Sequence, residues 1–112
     1  MRVVVTGGRD YHDEDTIWQV LSWFDIARLA TGDASGADQL ARDHAYASGV
    51  PEVHRYNADW ENEGRAAGPI RNRRMLETER PDVVVAFPGG KGTENCIKQA
   101  RELNIPVLRV EP

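Results

Sequence analysis

Hydrophobic residues occur along this chain in short apolar runs that alternate with stretches of helical spacing. Five apolar runs predict strands, at residues 3–5, 27–30, 53–56, 82–87 and 106–110. Between them, apolar residues spaced three and four apart predict helices that begin near residues 13–14, 36–37, 70 and 94. Strands that alternate with helices predict an α/β fold, with a mostly parallel sheet of about five strands and helices on both faces.

Three of these strands run into turns that contain glycine, at residues 6–10, 31–38 and 86–93. The loops that follow parallel strands gather at one edge of a sheet, so three such turns favour a shared pocket. Glycines allow backbone N–H groups to approach a phosphate, and a helix that follows directs its positive end to the same place. The alternative is that Pro88-Gly89-Gly90 is an ordinary turn between a strand and a helix, with a purely structural role.

The candidate ligand contacts in these three turns are Gly7, Gly8, Arg9, Gly32, Ser35, Gly36, Asp38, Pro88, Gly89, Gly90, Gly92 and Thr93. The glycine, serine and threonine positions suit a phosphate or a ribose, and Arg9 adds a guanidinium. Two alternatives stay open: Arg9 is a surface residue beside a tight turn, or Asp38 serves only the first turn of its own helix.

A polar segment follows the third predicted strand and contains further candidates. Asp59 could accept hydrogen bonds from ribose hydroxyls, and Trp60 could stack on a base or act as a core anchor. The pair Gly68-Pro69 precedes a predicted helix over residues 70–77, which would present Arg71 and Asn72 to the pocket. The alternative for the basic cluster in this region is a solvated helix face; its members are Arg65, Arg71, Arg73 and Arg74, and its expected partners are Glu77 and Glu79.

Composition narrows the classes of function. The chain has 112 residues, which predicts one domain, and a formal charge of −4, which argues against a general nucleic-acid binder. No apolar run is long enough to cross a bilayer and no basic leader precedes one, so we expect a cytoplasmic protein with no membrane partner.

The single cysteine, Cys96, and three scattered histidines predict no disulfide, no metal site and no bound cofactor. Cys96 falls in the first turn of the last predicted helix, but without a histidine partner we do not expect a nucleophile.

Five ordered motifs resemble one known family: VTGGRDY at residues 5–11, GDASGAD at 32–38, ADW at 58–60, AGPIRNRRM at 67–75 and FPGGKGT at 87–93. The family is the YspA, cpYpsA-related branch of the SLOG superfamily, also known as DUF2493. The resemblance implies a Rossmann-like three-layer α/β/α domain over residues 1–112. It also implies a pocket for nucleotides or nucleotide-derived molecules, often proposed to sense or process signals in bacterial and phage conflict systems.

The LONELY GUY phosphoribohydrolases are distant relatives that carry the motif Pro-Gly-Gly-x-Gly-Thr-x-x-Glu and an upstream arginine. Arg71, four residues before Met75, resembles that arginine and is the catalytic candidate if the protein is an enzyme. The position of the motif glutamate is occupied by Cys96, which cannot act as a carboxylate. The DNA-processing proteins of natural transformation share an Arg-Asn-Arg run like residues 71–73, but the acidic charge balance makes a nucleic-acid partner the weaker expectation.

Two hypotheses follow. The preferred one is a module that senses or sequesters a phosphorylated nucleotide derivative. The second is a hydrolase of an N-glycosidic or phosphate bond, in which Asp59 or Glu94 replaces the missing glutamate. Relatives tend to form dimers, and Trp18 or Trp23 would be candidate contacts in a homo-oligomer, although for both tryptophans we favour the alternative of ordinary packing.

Overall fold

A five-stranded, fully parallel sheet forms the centre of the computed structural model, which describes residues 1–112. Its strands are β1 (Arg2–Thr6), β2 (Arg28–Gly32), β3 (Glu52–Tyr56), β4 (Val83–Ala86) and β5 (Val107–Arg109). They lie in the order β3-β2-β1-β4-β5, so successive strands extend to one side of β1 as far as β3 and then continue on its other side from β4. The predicted α/β fold with a Rossmann-like parallel sheet is confirmed.

The helices are α1 (Glu14–Leu21), α2 (Ala37–Ala47), α3 (Trp60–Glu63), α4 (Ala67–Glu79) and α5 (Lys91–Glu102), and a 3₁₀ turn, Gly64–Ala66, joins α3 to α4. None of them is both long enough and apolar enough to cross a membrane.

The alternating side chains of β1 show how the three layers pack. Val3 and Val5 lie in a core cluster with the apolar faces of α1 and α2. Val4 points the other way and packs in a second cluster with residues of α4 and α5. Because both faces of the strand are covered, its sequence is a continuous apolar run.

The structure differs most from the sequence prediction in three places. Helix α4 begins at Ala67, so Gly68 and Pro69 lie inside its first turn; proline is tolerated there because first-turn N–H groups have no intrahelical acceptor. Helix α5 begins at Lys91 and not near residue 94, which places Gly92 within the helix. The polar segment after β3 is folded into α3 and the 3₁₀ turn, where we expected an irregular loop.

Candidate functional site

An open cavity of about 480 Å³ lies at the carboxyl edge of the sheet, and we call it the rim cavity. Its wall consists of Thr6, Gly7, Gly8, Arg9, Ala34, Asp38, Trp60, Arg65, Gly68, Pro69, Arg71, Asn72, Gly90, Lys91, Gly92, Thr93 and Asn95. A smaller cavity of about 250 Å³ adjoins it and shares four wall residues, Arg9, Ala34, Trp60 and Arg71. The predicted convergence of separate loops at one edge is therefore found.

The rim cavity is positively charged although the chain is acidic. Four cationic side chains line it, Arg9, Arg65, Arg71 and Lys91, against the single carboxylate of Asp38. The chain as a whole has a formal charge of −4. A concave site with this excess of cations attracts and retains anions.

Arg71 is fixed in the wall by two hydrogen bonds. Its Nε donates to Oδ1 of Asn72 at 2.9 Å, and its Nη1 donates to the backbone oxygen of Tyr56 at 3.1 Å. Burial lowers the pKa of Arg71 from its usual value, but a guanidinium stays charged in proteins. Arg71 is thus a permanent cation in a defined position.

Asn72 connects Arg71 to helix α5. Its Nδ2 donates to the backbone oxygen of Gly92 at 3.3 Å and to Oδ1 of Asn95 at 3.2 Å. Oδ1 of Asn95 also accepts from Nε2 of Gln99 at 2.7 Å. The side chain of Asn72 therefore positions Arg71, and because it also lines the rim cavity its predicted contact with a ligand stays a prediction.

Two of the predicted glycines are required by the packing of the turns against one another. A Cβ on Gly89 would lie 2.2 Å from Oγ1 of Thr93, and a Cβ on Gly36, where φ is +71°, would lie 2.3 Å from the oxygen of Gly8. The N–H of Gly8 already donates to the oxygen of Pro88 at 2.9 Å, so this amide is not free for a ligand. Gly36, Pro88 and Gly89 lie outside the rim cavity wall.

Helix α5 presents free backbone amides where the wall is open. Its first hydrogen bond runs from the N–H of Glu94 to the oxygen of Gly90 at 3.0 Å, so the amides of Lys91, Gly92 and Thr93 have no acceptor within the helix. A Cβ on Gly90 or Gly92 would meet no atom within 4 Å. These amides and the positive end of the helix form a site suited to a phosphate.

Trp60 stands between the two cavities and is 49% exposed. The guanidinium carbon of Arg9 lies 5.8 Å from the centre of its ring, within the range of a cation–π contact. Gly68 lies close beneath it, since a Cβ there would lie 3.3 Å from Cη2 of the indole. Trp60 is therefore not a core anchor, and its indole remains accessible for stacking.

Asp38 is the only carboxylate of the wall and is 5% exposed. Its Oδ2 accepts a hydrogen bond from the N–H of Ala34 at 3.4 Å, and burial raises its pKa to about 6, against the lowering effect of Arg71. The two carboxylates predicted to replace a catalytic glutamate are elsewhere. Asp59 caps helix α3 by accepting from the N–H of Asn62 at 3.3 Å, and Glu94 forms an exposed ion pair with Arg109 at 2.6 Å.

Cys96 is fully buried behind the wall, and burial raises the pKa of its thiol to about 11. We predicted Cys96 in the first turn of the last helix, but α5 begins at Lys91, so Cys96 lies beyond the first turn. A thiolate at this position would therefore gain no stabilisation from the end of the helix. Its thiol is not an activated nucleophile.

The remaining candidates are distributed as follows. Ser35 lines the smaller cavity and donates through Oγ to the backbone oxygen of Arg9 at 3.2 Å. Arg73 and Arg74 point away from the rim cavity: Arg73 pairs with Glu102 at 3.0 Å, and Arg74 donates to the oxygen of Asn57 at 2.8 Å.

Five wall residues were not among the predicted ligand contacts: Thr6, Ala34, Arg65, Lys91 and Asn95. Lys91 lies inside the motif FPGGKGT, so its charge could have been read from the sequence as a sign of an anion site. The role of Asn95 could not, because it depends on the contact between α4 and α5. No group of three or more histidine, cysteine, aspartate or glutamate side chains is placed to hold a metal ion.

Comparison with known proteins assigns the family. The sequence profile of the YspA, cpYpsA-related SLOG family matches residues 1–62. The chain is 36% identical to the Gene 61 protein of Mycobacterium phage D29, over 96% of this chain and 94% of that protein.

Two solved structures have a similar fold. They are a UDP-N-acetylglucosamine 2-epimerase (TM-score 0.64) and the UDP-GlcNAc 2-epimerase from Neisseria meningitidis bound to UDP-GlcNAc (TM-score 0.60). Each is 17% identical to this chain and is matched over 99% of it. The chain spans only about a third of their length, 33% and 32%, and the similarity extends to the fold alone.

Proposed function

The chain belongs to the YspA, cpYpsA-related SLOG family, and we propose that it binds a phosphorylated nucleotide or nucleotide derivative in the rim cavity. The observation that carries the proposal is the concentration of Arg9, Arg65, Arg71 and Lys91 around one open cavity of an acidic protein. Such a distribution suits a small anion better than a polymer, because a nucleic acid needs a broad basic face.

The parts of the cavity match the parts of a nucleotide. The free amides of Lys91, Gly92 and Thr93 suit a phosphate, and Arg71 supplies a fixed charge beside them. The half-exposed indole of Trp60 suits a base, because an aromatic face can stack on any base without hydrogen bonds to it.

Binding without turnover is the role that these residues favour. The LONELY GUY-type glutamate position holds the buried Cys96, and neither Asp59 nor Glu94 lines the cavity. This supports a sensing or sequestering module over a phosphoribohydrolase-like enzyme. If a hydrolase activity exists, Asp38 is the one carboxylate of the wall available to it.

Thermal unfolding with a panel of nucleotides tests the proposal. We expect at least one of AMP, ADP-ribose and cyclic or linear dinucleotides to raise the melting temperature by several degrees, since a ligand at a hundred times its Kd adds about 2.7 kcal/mol. Arg71→Ala and the exposed Lys91→Ala should each weaken binding about tenfold, whereas Arg101→Ala, outside the cavity, should not.

The outcomes separate the two hypotheses. A folded protein that no member of the panel stabilises contradicts the proposed binding function. If chromatography detects free base or cleaved phosphate after incubation with a bound nucleotide, the hydrolase hypothesis replaces that of the sensing module.

A further inference from the structure

We propose that Asp38 and Arg71 together recognise a sugar hydroxyl of the bound nucleotide, so that the rim cavity prefers a ribonucleotide to a nucleotide that lacks the ribose 2′- and 3′-hydroxyls. This inference rests on the proposed function and specifies which sugar the ligand carries next to its phosphate.

The first support is the unused hydrogen-bonding capacity of Asp38. Oδ2 accepts one long hydrogen bond from Ala34, and Oδ1 accepts none from the chain. Asp38 lines the rim cavity, and Oδ1 is not among the buried atoms that lack a partner, so this oxygen faces the cavity. An accessible carboxylate oxygen to which the chain supplies no donor is free to accept a hydrogen bond from a ligand.

The second support is the relation between Asp38 and Arg71. Both side chains lie against the α-carbon of Gly32: a Cβ placed there would be 2.9 Å from Oδ2 of Asp38 and 2.5 Å from Nη1 of Arg71. No nitrogen of Arg71 comes within 4.0 Å of an Asp38 oxygen, so the two charges do not form an ion pair.

A hydroxyl matches these two groups chemically, because it can accept from the guanidinium and donate to the carboxylate at once. An ionised phosphate oxygen cannot, since it only accepts, and the carboxylate repels it. The pair therefore favours a single atom that both donates and accepts, which on a nucleotide is a sugar hydroxyl oxygen, since a base edge carries its donors and acceptors on separate atoms.

The ionisation of Asp38 is consistent with this role. Burial raises its pKa to about 6, while Arg71, the N–H of Ala34 and Arg42 oppose that effect and Asp33 adds to it. The side chain is consequently an acceptor near neutral pH.

Titration calorimetry tests the inference with AMP, GMP, CMP and UMP, each compared with its 2′,3′-dideoxy counterpart, and with pyrophosphate. For wild type we expect at least one ribonucleotide to bind at least about tenfold more tightly than its dideoxy form, the range for a hydrogen bond to a charged group. In Asp38→Asn this ratio should fall below about threefold, while pyrophosphate binds equally or more tightly because a negative charge has gone. Asp43→Asn, an exposed carboxylate on the same helix, is the matched control and should keep the wild-type ratio.

The possible failures are distinguishable. A ratio near one in wild type, or a ratio that Asp38→Asn leaves intact, overturns the hydroxyl recognition while nucleotide binding stands. Binding of pyrophosphate without any nucleotide also overturns it and leaves an anion site only. If neither pyrophosphate nor any of these nucleotides binds, and no member of the thermal-unfolding panel stabilises the protein, the proposed function fails as well.

Discussion

The guanidinium of Arg71 lies directly against the α-carbon of Gly32, so that a Cβ atom at position 32 would be 2.5 Å from Nη1 and 2.8 Å from Cζ. Gly32 ends strand β2 and is buried, whereas Arg71 extends from α4. We predicted Gly32 as a ligand contact, but its role in the structure is to leave the space in which the side chain of Arg71 is held.

Gly32→Ala should consequently impair binding more than stability. The added methyl group meets the side-chain ends of Arg71 and Asp38 and no backbone atom among its nearest neighbours, so we expect the free energy of unfolding to fall by only about 1 to 2 kcal/mol. Displacement of Arg71 should weaken nucleotide binding about tenfold or more. Urea unfolding and calorimetry on the same sample measure both effects; full affinity in Gly32→Ala would show that the position of Arg71 is not critical.

Gly89, which precedes α5, and Gly92, in the first turn of α5, should respond in opposite ways to substitution by alanine. Gly89→Ala forces a Cβ to 2.2 Å from Oγ1 of Thr93 and 2.7 Å from the nitrogen of Gly8, and should lower stability by about 1 to 3 kcal/mol. Gly92→Ala meets no atom and lies in a helix, so stability should be kept or should rise by up to about 1 kcal/mol.

Ligand binding distinguishes the role of Gly92 from that of an ordinary helical residue. A methyl group at this position projects from the wall of the rim cavity, so Gly92→Ala should weaken nucleotide binding even though the fold is intact. A stable Gly92→Ala protein with wild-type affinity would place the phosphate away from the first turn of α5.

Asp38→Asn should stabilise the protein at neutral pH. The pKa of Asp38 is raised from 3.8 to about 6, so the folded state binds the proton more tightly than the unfolded state, and the ionised carboxylate costs about 2 to 3 kcal/mol at pH 7.5. This cost disappears as pH falls from about 6 to about 4. The difference in unfolding free energy between Asp38→Asn and wild type should therefore be large at pH 7.5 and close to zero at pH 4; a difference that does not change with pH would contradict the raised pKa.

Glu79 forms a buried ionic cluster that is separate from the rim cavity. Its carboxylate, 1% exposed, accepts from Nε and Nη2 of Arg28 at 2.7 and 2.9 Å and from the hydroxyl of Tyr56. Burial alone would raise the pKa of Glu79, but these hydrogen bonds hold it below its usual value.

Arg28→Met leaves this carboxylate buried without its cation and should cost about 3 to 5 kcal/mol. Arg109→Met breaks only the exposed pair with Glu94 and should cost less than about 1 kcal/mol. Chemical denaturation of the two variants provides the comparison, and equal losses would show that the Glu79 cluster is solvated like a surface pair.

The apolar pattern was sufficient to predict the fold, because strands covered on both faces, such as Val3–Val5, leave an unbroken hydrophobic run. The edge at which the site lies followed from topology, since loops after parallel strands must meet there. Local signals misled at Pro69 and Gly68, which usually precede a helix but here form its first turn.

The individual roles at the site could not be read from the sequence, because they depend on contacts between distant segments. Asn72 positions Arg71 through an α4–α5 network, and Gly89 packs on Thr93 and Gly8. Asp59 was expected to face a ligand because it follows a strand, yet its carboxylate is used to cap α3. The burial of Asp38 likewise depends on tertiary packing, since its side chain lies with that of Arg71 against Gly32.

The most direct test of the phosphate site is amide chemical-shift mapping on nitrogen-15-labelled protein, titrated with AMP or with the nucleotide that gives the largest thermal shift. We expect saturable shifts of the Lys91, Gly92 and Thr93 amides and of the Trp60 indole N–H, all with one dissociation constant. Shifts confined to the opposite end of the sheet, around Ser48 and Gly49, or no saturable shift at all, would contradict a nucleotide site at the carboxyl edge.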